Sequence, residues 1–194
     1  MQKIFLSLLL LATISIAASS DRFFDRLSEA AIELTKHSVK YDPSYVTIAY
    51  PNGDVAADKG VCTDVVIRAY RRLGIDLQKE VHEDMKAHFE LYPKIWKLSK
   101  PDANIDHRRV QNLQVFFARH NASVSVSKIA AEYRPGDIVT WDLGSGIVHI
   151  GIVVDRLSEN DVQRHLIVHN IGGGQVLSDC LFRFKITGHY RYQK

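Results

Sequence analysis

Lys59-Gly60-Val61-Cys62-Thr63-Asp64-Val65-Val66-Ile67-Arg68-Ala69-Tyr70-Arg71 decides how this chain is read. A loop ends at Gly60 and a helix starts at the cysteine. Val65, Val66, Ala69, Tyr70 and Leu73 recur at helical spacing and form its apolar face. Gly74 follows as a C′ glycine, and Arg68, Arg71 and Arg72 place cations toward the negative end of the dipole. A thiol on the first turn sits among backbone N–H groups that have no intrahelical partner. That setting favours the thiolate, which is the nucleophilic form. Cys62 is therefore a candidate nucleophile. Two other readings stand beside it: a buried inert thiol, or half of a disulfide with Cys180, since the chain has 2 cysteines.

Working outward, Phe23, Leu27, Ala30, Ala31 and Leu34 fall on one face of a helix expected over Asp21 to Lys40, with Asp21 as N-cap. Tyr41-Asp42-Pro43-Ser44 and Pro51-Asn52-Gly53-Asp54 read as turns around a short strand, Tyr45 to Tyr50. Beyond the cysteine helix, Leu77 to Tyr92 is helical and Pro93 stops it. Asn104 or Asp106 caps a further helix that carries Val110, Leu113, Phe116 and Phe117. Residues 76–120 thus form a helical insertion that walls one side of a cleft.

From Val124 the pattern turns to period two. Strands are expected at Ile138–Trp141, Ile147–Asp155 and His165–Ile171, with two more around Leu181–Phe184 and Thr187–Tyr192. Gly144, Glu159–Asn160 and Gly172–Gly174 supply the turns. Helices first and an antiparallel meander second make an α+β plan with a central cysteine-bearing helix.

The first residues fit a different purpose. Lys3, an apolar run from Ile4 to Ile16, and then Ala17, Ala18, Ser19 and Ser20 match a secretory signal peptide over residues 1–18. The run is short for a membrane span, so no span is expected after cleavage. Residues 19–194 then form one domain, placed in the periplasm or outside the cell. The formal net charge of +3 is too small to argue for nucleic acid.

A cysteine nucleophile needs a base, and the base needs an orienter. Most of the 9 histidines lie in polar helical stretches, where solvation explains them. His149 and His169 instead lie inside apolar strands, Val148-His149-Ile150-Gly151-Ile152 and Ile167-Val168-His169-Asn170-Ile171. Counting outward from Glu159–Asn160 sets His149 opposite His169 or Asn170, and a one-residue change of register decides between them. His169 is the favoured orienter and Asn170 the alternative. Cys62, His149 and His169 are also a conceivable zinc ligand set, but no spaced ligand pair such as C-x-x-C or H-E-x-x-H accompanies them.

The order of a cysteine helix, a histidine strand and a polar residue on the next strand resembles the papain-like clan of bacterial cell-wall cysteine peptidases and amidases. Gly136-Asp137-Ile138-Val139 is similar to the turn that begins the first strand in that clan. The chain resembles the bacterial domain-of-unknown-function family 1287 over nearly all of its mature length. The segments that carry this are Gly60 to Arg71, Val81 to Met85, Asn104 to Arg109, His149 to Val153, His169 to Gly172 and Thr187 to Arg191. Clan members commonly have Asp-Cys-Ser at the nucleophile, whereas here Val61 precedes Cys62 and Thr63-Asp64 follow it. The resemblance implies a papain-like fold that hydrolyses amide bonds in peptidoglycan stem peptides, or between glycan and stem, with no cofactor and no metal.

The expectation is an exported thiol hydrolase of cell-wall peptides. Cys62 attacks, His149 exchanges the proton, and His169 or Asn170 orients His149. Arg108 and Arg109 are candidate carboxylate binders for the stem peptide. Asp64 and Trp141 are further substrate-side candidates. Asp64 has the alternative role of a helix-start charge, and Trp141 of a packing residue. Two alternatives remain open: a non-catalytic peptidoglycan- or protein-binding module on the same fold, and a zinc-dependent hydrolase.

Overall fold

The cysteine helix forms because its first turn is tied down before its apolar face is buried. In the computed structural model, which describes residues 22–194, helix α2 runs over Cys62–Arg72 with Val61 as N-cap. Asp64 accepts a hydrogen bond from the Val61 N–H at 2.6 Å. This is the acidic half of a capping box. Valine has no side-chain oxygen with which to complete the other half. Gly74 adopts φ +83° just past the C-terminus, where a Cβ is unfavourable. On the polar face, Arg68 binds Asp54 and the Lys59 carbonyl, and Arg71 binds Asp54 and the Gly53 carbonyl. These cations therefore shape the loop that delivers Cys62, in addition to suiting the dipole.

Three more helices accompany it: α1 over residues 22–34, α3 over Leu77–Ala87 and α4 over Val110–Arg119. The helix expected from Asp21 to Lys40 ends earlier, at residue 34. Its N-cap and the signal peptide lie outside the described residues. α3 stops before Tyr92, and a short 3-10 turn, Phe89–Leu91, completes that segment. Asp106–Arg108 form a separate 3-10 turn ahead of α4.

A six-stranded sheet carries the rest, in the order β3-β8-β4-β5-β6-β7. The strands are β3 (Ser123–Val124), β4 (Ile138–Asp142), β5 (Val148–Ser158), β6 (Asp161–His169), β7 (Val176–Ser178) and β8 (Lys185–Tyr190). Every pairing is antiparallel. Only β4 to β7 form a meander; β8 returns to lie between β3 and β4. The expected strand at Leu181–Phe184 is a turn instead, and β7 takes the edge position. The expected strand Tyr45–Tyr50 does not form. A two-residue parallel pair replaces it, with β1 (Lys40–Tyr41) against β2 (Lys59–Gly60) and Tyr41 opposite Gly60. The architecture is α+β.

Alternation along the strands gives the sheet two buried faces. Ile138, Ile150, Ile152, Val154 and Val168 face α1, α2 and α4, with Leu27, Val66, Tyr70, Leu113 and Phe116 among the residues they join. Val139, Trp141, Val153 and Ile167 face the other way, under Tyr133, Cys180 and Leu181. Each fully buried aliphatic or aromatic side chain contributes about 1.5–3 kcal/mol. At the far end, Asp137 accepts from His189 at 2.7 Å and from Arg191 at 2.6 Å, which ties β4 to β8. The Gly136-Asp137 and His189-Tyr190-Arg191 segments thus meet in one structural anchor.

Candidate active site

Cys62 is a free thiol, as is Cys180; no Cys62–Cys180 disulfide forms. Cys62 opens α2 at the point where the helix meets β5, and its thiol lies against the backbone N–H of Ile150 and the N–H groups of Thr63 and Cys62. The residue is 7% exposed. Burial pushes its thiol up to about 11, against the pull of those N–H groups, and Asp64 adds to the rise. The resting group is a protonated thiol.

His149 precedes Ile150 on β5. Its Nε2 lies 2.8 Å from Nδ1 of His169, and the rings meet edge-on with centroids 5.0 Å apart. Register explains the contact. Ile152 pairs with Val168, which sets His169 across from position 151 and diagonal to His149 on the same face. Two shifts in pairing, between Leu157 and Ser158 and between Val154 and Leu157, together account for the difference from a count outward from the turn. Gly151 makes the diagonal possible: a Cβ there would stand 2.6 Å from Ile167 Cγ2 and 3.1 Å from His169 Cβ. Burial holds both imidazoles neutral. It lowers His149 to about 3, with His169 assisting, and His169 to about 4, with Arg183 assisting.

Asn170 points elsewhere. It donates from Nδ2 to the Gly60 carbonyl at 3.3 Å and accepts from the Gly172 N–H at 3.1 Å. It anchors the end of β6 to the loop before Cys62, and His169 alone of the two bonds His149.

No hydrogen bond joins Cys62 to His149 among the described residues. α2 packs on the Ile150 face of β5, and the His149 ring leaves from the opposite face, so the thiol meets the strand at its main chain. The strand residue that the thiol meets, Ile150, is the one next to His149.

Three of the expected substrate residues are occupied within the protein. Arg108 spends Nε and Nη2 on Asp64, both at 2.9 Å, in a buried bidentate pair. Its guanidinium fork is not open to a peptide carboxylate, and the Asp64 carboxylate is not open to an amine. The pair bolts the Asp106–Arg108 turn to the start of α2, and Thr63 adds a bond from its hydroxyl to the Arg108 carbonyl. Trp141 is 1% exposed. Its Nε1 donates to the Leu181 carbonyl and its ring packs against His149 with centroids 5.8 Å apart. It shields the histidine from behind and does not line the cleft.

Arg109 stacks over the Trp96 ring at 4.1 Å and binds Asp106 through one nitrogen at 2.7 Å. Together with Arg108, Cys62, Tyr41, Trp96 and Val148 it borders a cleft of about 280 Å³. Neither Tyr41 nor Trp96 is among the expected site residues; the sequence marks Tyr41 as part of a turn and Trp96 as a connector anchor. The β1–β2 pair brings Tyr41 to the cysteine loop, and no local pattern announces a two-residue parallel bridge. A larger cavity of about 520 Å³ borders Asp54, Arg68, Arg71 and Arg72, whose charges are already paired with one another and with backbone carbonyls.

The histidines are poor metal ligands in this arrangement, because their facing nitrogens are spent on each other. Among the described residues, no group of three or more His, Cys, Asp or Glu side chains is placed to hold a metal ion. None of the described helices is long and apolar enough to cross a membrane.

The model of one protein family, described as a domain of unknown function (DUF1287), matches residues 28–192. The chain belongs to the DUF1287 family. A relative of this DUF1287 protein, the "Uncharacterized protein YijF" of Escherichia coli strain K12, is 48% identical over 166 residues, which is 86% of this chain and 80% of the relative. The family model's match runs from inside α1 to the end of the sheet, and so takes in Cys62, His149, His169 and Cys180 alike.

Proposed function

We propose that this DUF1287 protein is an exported papain-like thiol hydrolase that cleaves amide bonds of peptidoglycan peptides, as endopeptidase or amidase. The observation that carries the reading is the place of the Cys62 thiol, at the start of α2 against the Ile150 N–H and one residue along β5 from a histidine already paired with a second. Nε2 of His149 is taken by His169, which leaves Nδ1 as the nitrogen for proton exchange, while the next residue's N–H rests on the Cys62 thiol. Catalytic hydrogen bonds are often long in unliganded enzymes and tighten around substrate.

In this reading the Cys62 sulfur attacks the amide carbonyl, and its proton passes to His149 Nδ1. The tetrahedral oxyanion is met by the Cys62 N–H at the positive end of α2, with the Tyr41 hydroxyl at the same cleft as second donor. The C–N bond then breaks and His149 returns the proton to the leaving amine. Water, losing a proton to His149, hydrolyses the thioester and restores the thiol. Because the thiol rests protonated, thiolate formation and attack are coupled and occur only with substrate in place. Arg109, stacked on Trp96, is the cation left at the cleft for a stem-peptide carboxylate.

A second reading has its own support. The burial of Cys62, with its thiol raised to about 11, suits a module on this fold that binds peptidoglycan without cutting it. One digestion separates them. Purified sacculi are incubated with the protein and with Cys62→Ala, and released fragments are identified by mass spectrometry. The hydrolase reading expects new termini with the unaltered protein alone. No difference between the two, alongside sacculus binding by both, establishes the module instead.

A further inference from the structure

The His149–His169 pair does not end at His169. Nε2 of His169 lies 3.7 Å from the sulfur of Cys180, which is 4% exposed and also contacts the Ser178 hydroxyl. The proton on each imidazole can be placed in only two ways along this chain. In one, Cys180 S–H donates to His169 Nε2. His169 then carries its proton on Nδ1 and donates to His149 Nε2, which forces the His149 proton onto Nδ1. That form of His149 has no base to offer a thiol. In the other, His169 Nε2–H donates to the Cys180 sulfur. His169 Nδ1 accepts from His149 Nε2–H, and His149 Nδ1 is bare.

We infer that Cys180 is a positioning residue for His149: its sulfur accepts the His169 Nε2–H, beside the Ser178 hydroxyl that also contacts it. This fixes both imidazoles in the tautomer that leaves His149 Nδ1 open as the base. The same direction lets His149 become doubly protonated without breaking a hydrogen bond, because His169 Nδ1 stays an acceptor. The Arg183 charge, which disfavours protonation of His169, keeps that acceptor in place. An imidazole N–H buried without an acceptor costs more than a bare ring nitrogen, which is why removing the sulfur turns the chain around. The inference rests on the hydrolase reading for its purpose, but its geometry stands apart from it.

The test reads the tautomers directly, by long-range proton–nitrogen correlation spectra of the full chain labelled with 15N-histidine at neutral pH. Cys180→Ala and Cys180→Val both remove the acceptor, and valine also fills the space and keeps water out. Cys180→Ser retains an acceptor. In the unaltered protein both histidines are expected to carry the proton on Nε2. In the Ala and Val variants both are expected to move toward Nδ1–H, with kcat lowered at least tenfold and KM unchanged, and serine is expected to recover part of each effect. A proton on Nδ1 of His169 in the unaltered protein overturns the inference. So do tautomers that stay the same in folded Ala and Val variants. If the tautomers move as expected while no form of the protein cleaves sacculi, Cys180 keeps its positioning role and the hydrolase reading fails.

Discussion

His149 Nε2 and His169 Nδ1 lie 2.8 Å apart on one buried face of the sheet, and this fixes which nitrogen of His149 is free. Replacing His169 with alanine leaves Nε2 without its partner. The expected result is a fall in kcat on the order of 10²-fold or more with little change in KM, since tautomer control acts in the reaction and not in binding. Steady-state kinetics on a soluble muropeptide check this; a loss confined to KM contradicts it.

Gly151 provides the room for that contact. Its Cβ position is 2.6 Å from Ile167 Cγ2 and 3.0 Å from the Val168 carbonyl oxygen. Backbone cannot give way as a flexible side chain does. Gly151→Ala is expected to cost about 1–3 kcal/mol of stability and to separate the histidines. Denaturant unfolding measures the first effect, and the histidine nitrogen shifts report the second.

Asp64 and Arg108 form the pair that holds the start of the Cys62 helix. Removing the carboxylate strands a buried guanidinium and also frees the Val61 N–H. Asp64→Ala is expected to lose about 3–5 kcal/mol. A loss under about 1 kcal/mol would mean that solvent reaches the pair and that its structural role is slight.

The helix and its cysteine were legible because 3.6-residue periodicity and end signals are local. The paired strand histidines were legible because a polar residue inside an apolar strand needs a partner. The register was less so. The irregular pairing between Val154 and Ser158 moves His169 from opposite His149 to a diagonal position, and nothing in the hairpin's composition marks it. Arg108 borders the cleft as expected, but its charge is spent on Asp64, and Trp141 is buried away from it, because sequence gives residue type without direction. Folding joined the first to Asp64 at the cleft wall and set the second behind His149. Cys180 entered the sequence reading only through the alternative of a bridge to Cys62, and its meeting with His169 depends on strand β7 and the turn after it, which bring position 180 back under the sheet.

Buried histidines make stability sensitive to mild acid. His107, His149 and His169 are lowered from the ordinary 6.5 to about 3, about 3 and about 4, mainly by burial. In the unfolded chain each takes up a proton near pH 6.5, while in the folded protein none does until about pH 4. The unfolded state thus binds more protons across that window. This contribution is fully present above pH 6.5 and is lost as pH falls toward 4, at up to about 1.4 kcal/mol per pH unit for each histidine. Denaturant unfolding at a series of pH values is expected to show stability falling steeply below about pH 6. A flat profile down to about pH 5 would contradict the neutral, buried state of these rings.

The central claim is that the Cys62 sulfur carries the acyl group, and trapping it is the most direct test. The protein is mixed with a muropeptide substrate and quenched in acid within a turnover, and the intact mass and peptide map are read. The account predicts an acyl thioester on Cys62, absent from Cys62→Ala and still present in Cys180→Ser. An adduct on Cys180, or fragment release by Cys62→Ala, would contradict it.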